Sequence, residues 1–309
     1  MKFSQSIIAV STAVGIVTAA PLTERQAPAI TDADILNYAL TLEHLEDKFY
    51  REGLANFTQA QFAAAGYDAT FYANIMRVSS DETAHVDFLT TALTAAGATP
   101  VAECTYAFGI TDVDMFVATA SVLEGVGVSA YLGAAADILS KDYLTAAGSI
   151  LTVEARHSSY LRSSIKESPF AQPFDTPLTI DEVYTIAAAF ITSCPASNPK
   201  LPVKAFPALT LDPSTPMPIK SGSVVTLLTP GYTLQPASGV ATIYAAFISV
   251  TGPTFVAATP VSGGFSVTIP KGFYGQSYSV LTSCNETVTD DTTAAGPALI
   301  EVRQFPQYR

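Results

Sequence analysis

The sequence predicts two domains of different class. Residues 31–194 read as an all-α four-helix bundle with a fifth, shorter helix, and residues 207–309 as an all-β, sandwich-like domain, with a linker at 195–206. Three observations predict this division. Residues 31–194 are rich in Ala and Leu at helical spacing, whereas Pro, Gly, Ser, Thr and Val dominate from residue 199 onward. Helix start signals recur in the first part. Short alternating runs separated by turns recur in the second.

The elements follow in chain order. Residues 1–20, MKFSQSIIAVSTAVGIVTAA, carry Lys2, an apolar run from Ile7 to Val17 and small residues before Pro21. This is the pattern of a secretory signal peptide cleaved near Ala19 or Ala20, leaving residues 21–30 as an N-terminal extension. The run is shorter than the roughly 20 apolar residues that span a bilayer. No later segment reads as a membrane span, and the terminal EVRQFPQYR lacks the apolar tail of a lipid-anchor signal. The expected protein is therefore secreted or wall-associated, with no membrane contact once the signal is removed.

Helices are expected at 32–54, 70–96, 112–139, 142–166 and 180–193. Three of them follow capping-box patterns, with Thr31, Thr111 and Thr179 each placed three residues before an acid. The 55–69 connection is long enough to hold a short helix. Residues 97–110 form the informative link: fourteen residues reach roughly 46 Å when extended, against about 40 Å for a 27-residue helix. This segment can run the length of the bundle and start the third long helix beside the first. One such crossover is the ferritin-like topology. In the second part, SVVTLL, ATIYAAFISV, FSVTI and SYSVLTSC read as strands, with turns at TPGY and VSGG. That part contains no histidine, and its acids are scattered.

Composition narrows the function. Of 309 residues, 49% are hydrophobic and 14% charged, enough for a substantial core, and the formal net charge of -12 disfavours nucleic acid and anionic lipid but suits cations. Asn56 and Asn285 begin glycosylation triplets. Cys104, Cys194 and Cys284 allow three pairings; Cys104 with Cys194 is preferred because both belong to the first domain.

Two of the three histidines stand in the same arrangement, Glu82 with His85 and Glu154 with His157, each three residues apart on a helix face. The other two long helices offer Glu43 with Tyr50 and Glu124 with Tyr131, each pair seven residues apart. The order is E, ExxH, E, ExxH, and the two halves read as an internal repeat. Counting residues at 1.5 Å each brings all four glutamates near mid-height of the bundle. Four interior carboxylates repel one another, and two divalent cations carry the four charges that balance them, with two neutral imidazoles completing the coordination. Mixed oxygen and nitrogen ligation suits iron or manganese, and zinc can imitate it. Glu46, one turn from Glu43, is its rival or an additional ligand; His44 points away and reads as a surface residue. Tyr50 and Tyr131 read as core groups around the ligands. A single ExxH would fit an ordinary helix-surface pair. Two in register with two further glutamates favour metal.

On LNYALTLEHLEDKFYREGL and DETAHVDFL, residues 31 to about 194 resemble the ferritin-like superfamily. More narrowly they are similar to secreted fungal ferritin-like proteins of stress response and sexual development, and to plant desiccation-related proteins. The resemblance implies Glu43, Glu82, His85, Glu124, Glu154 and His157 as metal ligands. It fixes no reaction, because such bundles host ferroxidases, manganese catalases and oxygenases. Two expectations follow. One is a di-metal oxidoreductase acting on ferrous ion, dioxygen or peroxide. The other is a non-catalytic structural or stress protein whose metals staple the bundle and whose β domain meets a wall or protein partner.

Overall fold

The computed structural model describes residues 30–236 and 242–303. The expected signal peptide and most of the N-terminal extension lie outside these residues. A ferritin-like helical domain is followed by an all-β domain. The helical domain consists of α1 (Asp32–Asn56), α2 (Gln59–Ala64), α3 (Ala69–Ala95), α4 (Val113–Ala134), α5 (Lys141–Ser164) and α6 (Ile180–Ala188).

Its long helices form because apolar residues recur at three- and four-residue intervals behind well-made caps. Thr31 and Thr179 close capping boxes on Asp34 and Glu182, and Thr58 closes a third, with Gln61, that starts α2 in the 55–69 connection. Thr111 does not cap α4, contrary to expectation. Asp112 is the N-cap and its carboxylate accepts from the Met115 N–H, an ionised acceptor winning over a neutral hydroxyl at a helix N-terminus.

The residues after α3 run along α1. Asn37 is bonded to Thr99 and Val101, and further along α1 Arg51 pairs with Glu103. This crossover delivers the start of α4 to the far end of α1, where Phe49 and Phe116 stack with centroids 4.9 Å apart. α1 and α4 therefore run antiparallel. The crossover also takes a ring nitrogen of the bundle's third histidine. His44 is half-buried, with Nε2 3.1 Å from the Val101 carbonyl, and is not the surface residue expected.

The fifth helix ends at Ala188, short of the expected 193. Ile191–Ser193 form strand β2 instead, paired antiparallel with β1 (Thr105–Tyr106) of the crossover. Cys104 and Cys194 are disulfide-bonded beside this pair, closing a separation of 90 residues. In the chain-entropy account such a bridge contributes about 4–5 kcal/mol. α4 with its terminal turn, Val113–Asp137, is long and apolar enough by composition to cross a membrane, which the sequence reading had not anticipated. It is apolar all round because it is the inner helix, packed against α1, α5, α6 and the β domain.

The β domain comprises β3 (Thr210–Leu211), β4 (Val224–Leu228), β5 (Ile243–Phe247), β6 (Thr254–Val261), β7 (Gly264–Thr268), β8 (Gly275–Thr282) and β9 (Thr293–Val302). All pairs are antiparallel in one order, β3-β4-β7-β6-β5-β8-β9. β6 makes the sheet continuous: residues 254–258 pair with β5 and 259–261 with β7. The sheet curls until β3 lies against β9, giving a barrel-like layer around one apolar core rather than two separate sheets.

The segment expected as a linker is held against the bundle: Asn198 bonds the backbone of Ala102, and Asp181 accepts from Lys204 N–H at 2.8 Å. Across the domain junction Arg162 makes a bidentate pair with Glu301 at 2.8 and 2.9 Å.

Candidate metal centre

The centre is built from the apolar stripes of the bundle. On α3 the inward row runs Phe71, Ile75, Val78, Glu82, His85, Leu89 and Leu93, and on α5 it runs Ala147, Ile150, Glu154, His157 and Leu161. Helical spacing thus places each Glu–His pair where a core residue would sit. Glu43 of α1 and Glu124 of α4 occupy the corresponding inward positions. All four glutamates are 0% exposed, and both histidines are buried.

The six side chains meet at one level. Glu43, Glu82, His85 and Glu154 form one group that could hold a metal ion; Glu82, Glu124, Glu154 and His157 form a second, the ligand atoms of each lying within 4.8 Å of one another. Glu82 and Glu154 belong to both groups. Each has two oxygens, so they sit where carboxylates bridging two cations would sit, with Glu43 and His85 at one end and Glu124 and His157 at the other.

Hydrogen bonding separates ligand atoms from structural ones. Glu82 Oε1, Glu124 Oε2, both oxygens of Glu154 and His157 Nδ1 are buried without a hydrogen-bond partner among the described residues. His157 Nδ1 lies 3.0 Å from Glu82 Oε1 and 3.3 Å from Glu124 Oε2, close but without the alignment of a hydrogen bond. His85 Nδ1 is hydrogen-bonded to Glu43 Oε2 at 3.2 Å and to Glu82 Oε2 at 3.0 Å, and lies 3.3 Å from Glu154 Oε1. One nitrogen thus faces three carboxylates, and the unpartnered atoms around His157 converge in the same way, as ligands do. Orphaned buried carboxylate oxygens are costly, so the donor set fits divalent cations of the oxygen- and nitrogen-preferring kind.

The oxygens that do not converge are held from outside. Tyr50 of α1 donates to Glu124 Oε1 on α4, and Tyr131 of α4 donates to Glu43 Oε1 on α1. Each tyrosine of the Glu-x6-Tyr repeat therefore serves the other helix's glutamate, a consequence of the antiparallel packing of α1 and α4. Burial, then the neighbouring glutamate, pushes both phenols well above their ordinary range, so they remain donors.

Electrostatics report the same crowding. Burial, then Glu154, raises Glu82 to about 7; burial, then Glu124, pushes Glu154 well up; burial, then Glu82, raises Glu124. Burial alone would lower His157, but Glu124 and Glu82 raise it to about 11, and His85 is raised by Glu154, Glu43 and Glu82 against the same effect of burial. Without cations the two imidazoles thus become the positive charges of the cluster.

Two features here, Gly127 and Asp81, were not anticipated from sequence. Glu46, which the sequence offers as Glu43's rival or as an additional ligand, is buried alongside Glu43, and burial followed by Glu154 pushes its carboxyl well up. Gly127 makes room for it: a Cβ there would stand 2.8 Å from Glu154 Oε2 and 3.2 Å from Glu46 Oε1. Asp81, adjacent to Glu82, reaches 3.5 Å from His157 Nε2, the side of the ring away from the cluster, where outer carboxylates orient ligand histidines. Its place beside the ExxH motif was the only sequence signal for it. Asn56 and Asn285, which begin the two triplets of glycosylation pattern, are exposed, and Cys284 is unpaired.

A cleft of about 450 Å³ between α3 and α5 leads to the centre; His85 and His157 form its floor and Arg77, Asp81, Arg156 and Tyr160 its sides.

With this geometry the comparisons with known proteins agree. Residues 31–167 match the family model of the ferritin-like domain. The chain is also similar to Protein rds1 of Schizosaccharomyces pombe (strain 972 / ATCC 24843), 29% identical over 180 residues, 58% of this chain and 44% of that protein. The chain thus spans less than half the length of this curated relative.

Proposed function

We propose that the helical domain holds two divalent cations, iron or manganese, and acts as an oxidoreductase toward ferrous ion, dioxygen or peroxide. The observation that carries this reading is the convergence of orphaned Glu82, Glu124, Glu154 and His157 atoms on common points deep in an apolar bundle. The cations would be held by Glu43 and His85 at one end, by Glu124 and His157 at the other, and by Glu82 and Glu154 between them. When bound, such a pair supplies redox equivalents and Lewis acidity. The protein's part is to position and insulate. Tyr50 and Tyr131 fix one oxygen of each terminal carboxylate, leaving the other free to coordinate. Asp81 holds the His157 ring in place, and the surrounding apolar residues exclude bulk water. The cleft over the two histidines gives small reactants a route to the centre.

The depth of the glutamates favours a second reading, in which the cations only staple the bundle. Peroxide turnover separates the two. In both, the protein is secreted: a signal-like N-terminus, a disulfide suited to an oxidising compartment and two exposed glycosylation triplets support that setting. A role in stress or development rests on the resemblance of the helical motifs.

The test is metal analysis of protein secreted by its host, with peroxide and ferrous-oxidation assays, for the natural chain and for Glu82→Ala and Glu154→Ala. About two iron or manganese ions per chain, lost in both variants together with turnover, are expected. Metal-loaded protein inert toward both substrates would leave only the stapling role.

A further inference from the structure

A second cavity, which shares no lining residue with the cleft over the histidines, lies where the two domains meet. It holds about 200 Å³ between α4, α5, the loop that follows α5, and β8. This is below the roughly 300–1,000 Å³ of drug-sized pockets and suits a ligand of one ring. β8 packs so closely on α4 here that a Cβ at Gly125 would stand 2.7 Å from the Gln276 amide. The walls are therefore fixed in relation to one another.

The lining defines a chemistry. Arg162 is the nearest cation, but its guanidinium is already committed to both oxygens of Glu301 and to the Ser168 carbonyl, at 2.8–2.9 Å. Asp175, at the mouth, has no hydrogen-bond or ion-pair partner among the described residues, and neither does the hydroxyl of Ser158. Gln276 uses its amide N–H groups on the Val122 carbonyl and the Tyr278 hydroxyl, leaving its oxygen as an acceptor. Phe170, on the rim, is 81% exposed. An uncommitted carboxylate, an amide acceptor and a hydroxyl beside an exposed aromatic ring call for a ligand with clustered O–H donors and one C–H face. Anions are disfavoured, because the cavity's one cation is neutralised and its free charge is a carboxylate. Ammonium ligands gain little from Asp175, because its charge is exposed to solvent and screened.

We propose that this junction cavity binds a single neutral pyranose, either free or as the terminal residue of a glycan, with its C–H face on Phe170 and vicinal hydroxyls donating to Asp175. The site is independent of the metal chemistry.

The test is saturation-transfer NMR on the full chain with glucose, mannose, galactose and N-acetylglucosamine, and with the methyl glycoside of each. Transfer to the ring protons of at least one sugar is expected. Retention with the methyl glycoside identifies a glycan end, and binding of the free sugar alone identifies a monosaccharide ligand. Phe170→Ala and Asp175→Ala, both at exposed positions, should each weaken binding about tenfold while metal content stays that of the natural chain. No transfer from any of these sugars would overturn the proposal. So would transfer undiminished in both variants, or stronger binding of glucuronate or glucosamine than of the neutral sugars.

Discussion

The two domains have interiors of opposite kinds. Among the described residues the β domain buries threonines and serines but no charged side chain, around a core of Phe247, Val267, Leu281 and Ile300. The helical domain buries Glu43, Glu46, Glu82, His85, Glu124, Glu154 and His157 at its centre, encircled by leucines and aromatics. The first core is stabilised by apolar burial with no charge to neutralise. The second sets five carboxylates against only two imidazoles, and the carboxylates' mutual repulsion and desolvation oppose folding unless cations sit among them. The contrast teaches where a ligand belongs: in the interior that is not self-sufficient.

The contrast can be broken or sharpened experimentally. The largest effect is expected in the self-sufficient core. Phe247→Ala removes a fully buried ring and should cost about 3–5 kcal/mol, read by denaturant unfolding, with metal content unchanged in the folded fraction. Loss of metal along with stability would mean that the two interiors are not separable. Chelation should act on the other domain. At cation concentrations a thousandfold above the dissociation constant, removal costs about 4 kcal/mol, and hydrogen exchange should accelerate in α3 and α5 but not in β8. Equal melting temperatures with and without metal would refute cation stabilisation.

The pH response of metal-free protein should be smaller, since only protons change. Glu82 is raised from 4.5 to about 7 by burial and then Glu154, so the folded state binds more protons, and stability is lost as pH rises through that window. His157, raised from 6.5 to about 11 by Glu124 and Glu82 despite burial, loses its contribution as pH rises from 6.5 toward that value, a slope of the same sign. The melting temperature of metal-free protein should therefore fall from pH 5 to pH 8, while metal affinity rises, because binding releases protons. A flat profile would show that the cluster is not strained. The smallest effect is expected for Tyr131→Phe. Loss of the donor to Glu43 should cost about 1.5 kcal/mol and leave metal stoichiometry intact.

The legibility of the sequence divides along the same line. The fold class and the meeting of the six Glu and His side chains could be read because charged residues inside an apolar helical stripe break the pattern at fixed intervals. The crossover was readable from length. What failed was local competition: Asp112 displaced Thr111 as a cap, and Ile191–Ser193 left the helix to pair with the crossover strand beside the disulfide. β6 and β9 were missed because Pro260 and Gly296-Pro297 interrupt their runs, and proline reads as a strand breaker in sequence. The curl of the sheet depends on β6 dividing its pairing, which no local pattern records. Gly127 is similarly silent, since its role is the space it leaves for Glu46 and Glu154.

Anomalous X-ray scattering from crystals of the protein, measured on both sides of the iron and manganese edges, tests the central claim most directly. The account predicts two peaks inside the bundle, about 3.5–4 Å apart, one beside His85 and the other beside His157, with Glu82 and Glu154 between them. A map with no peak among these six side chains, in protein shown by elemental analysis to carry metal, would contradict it.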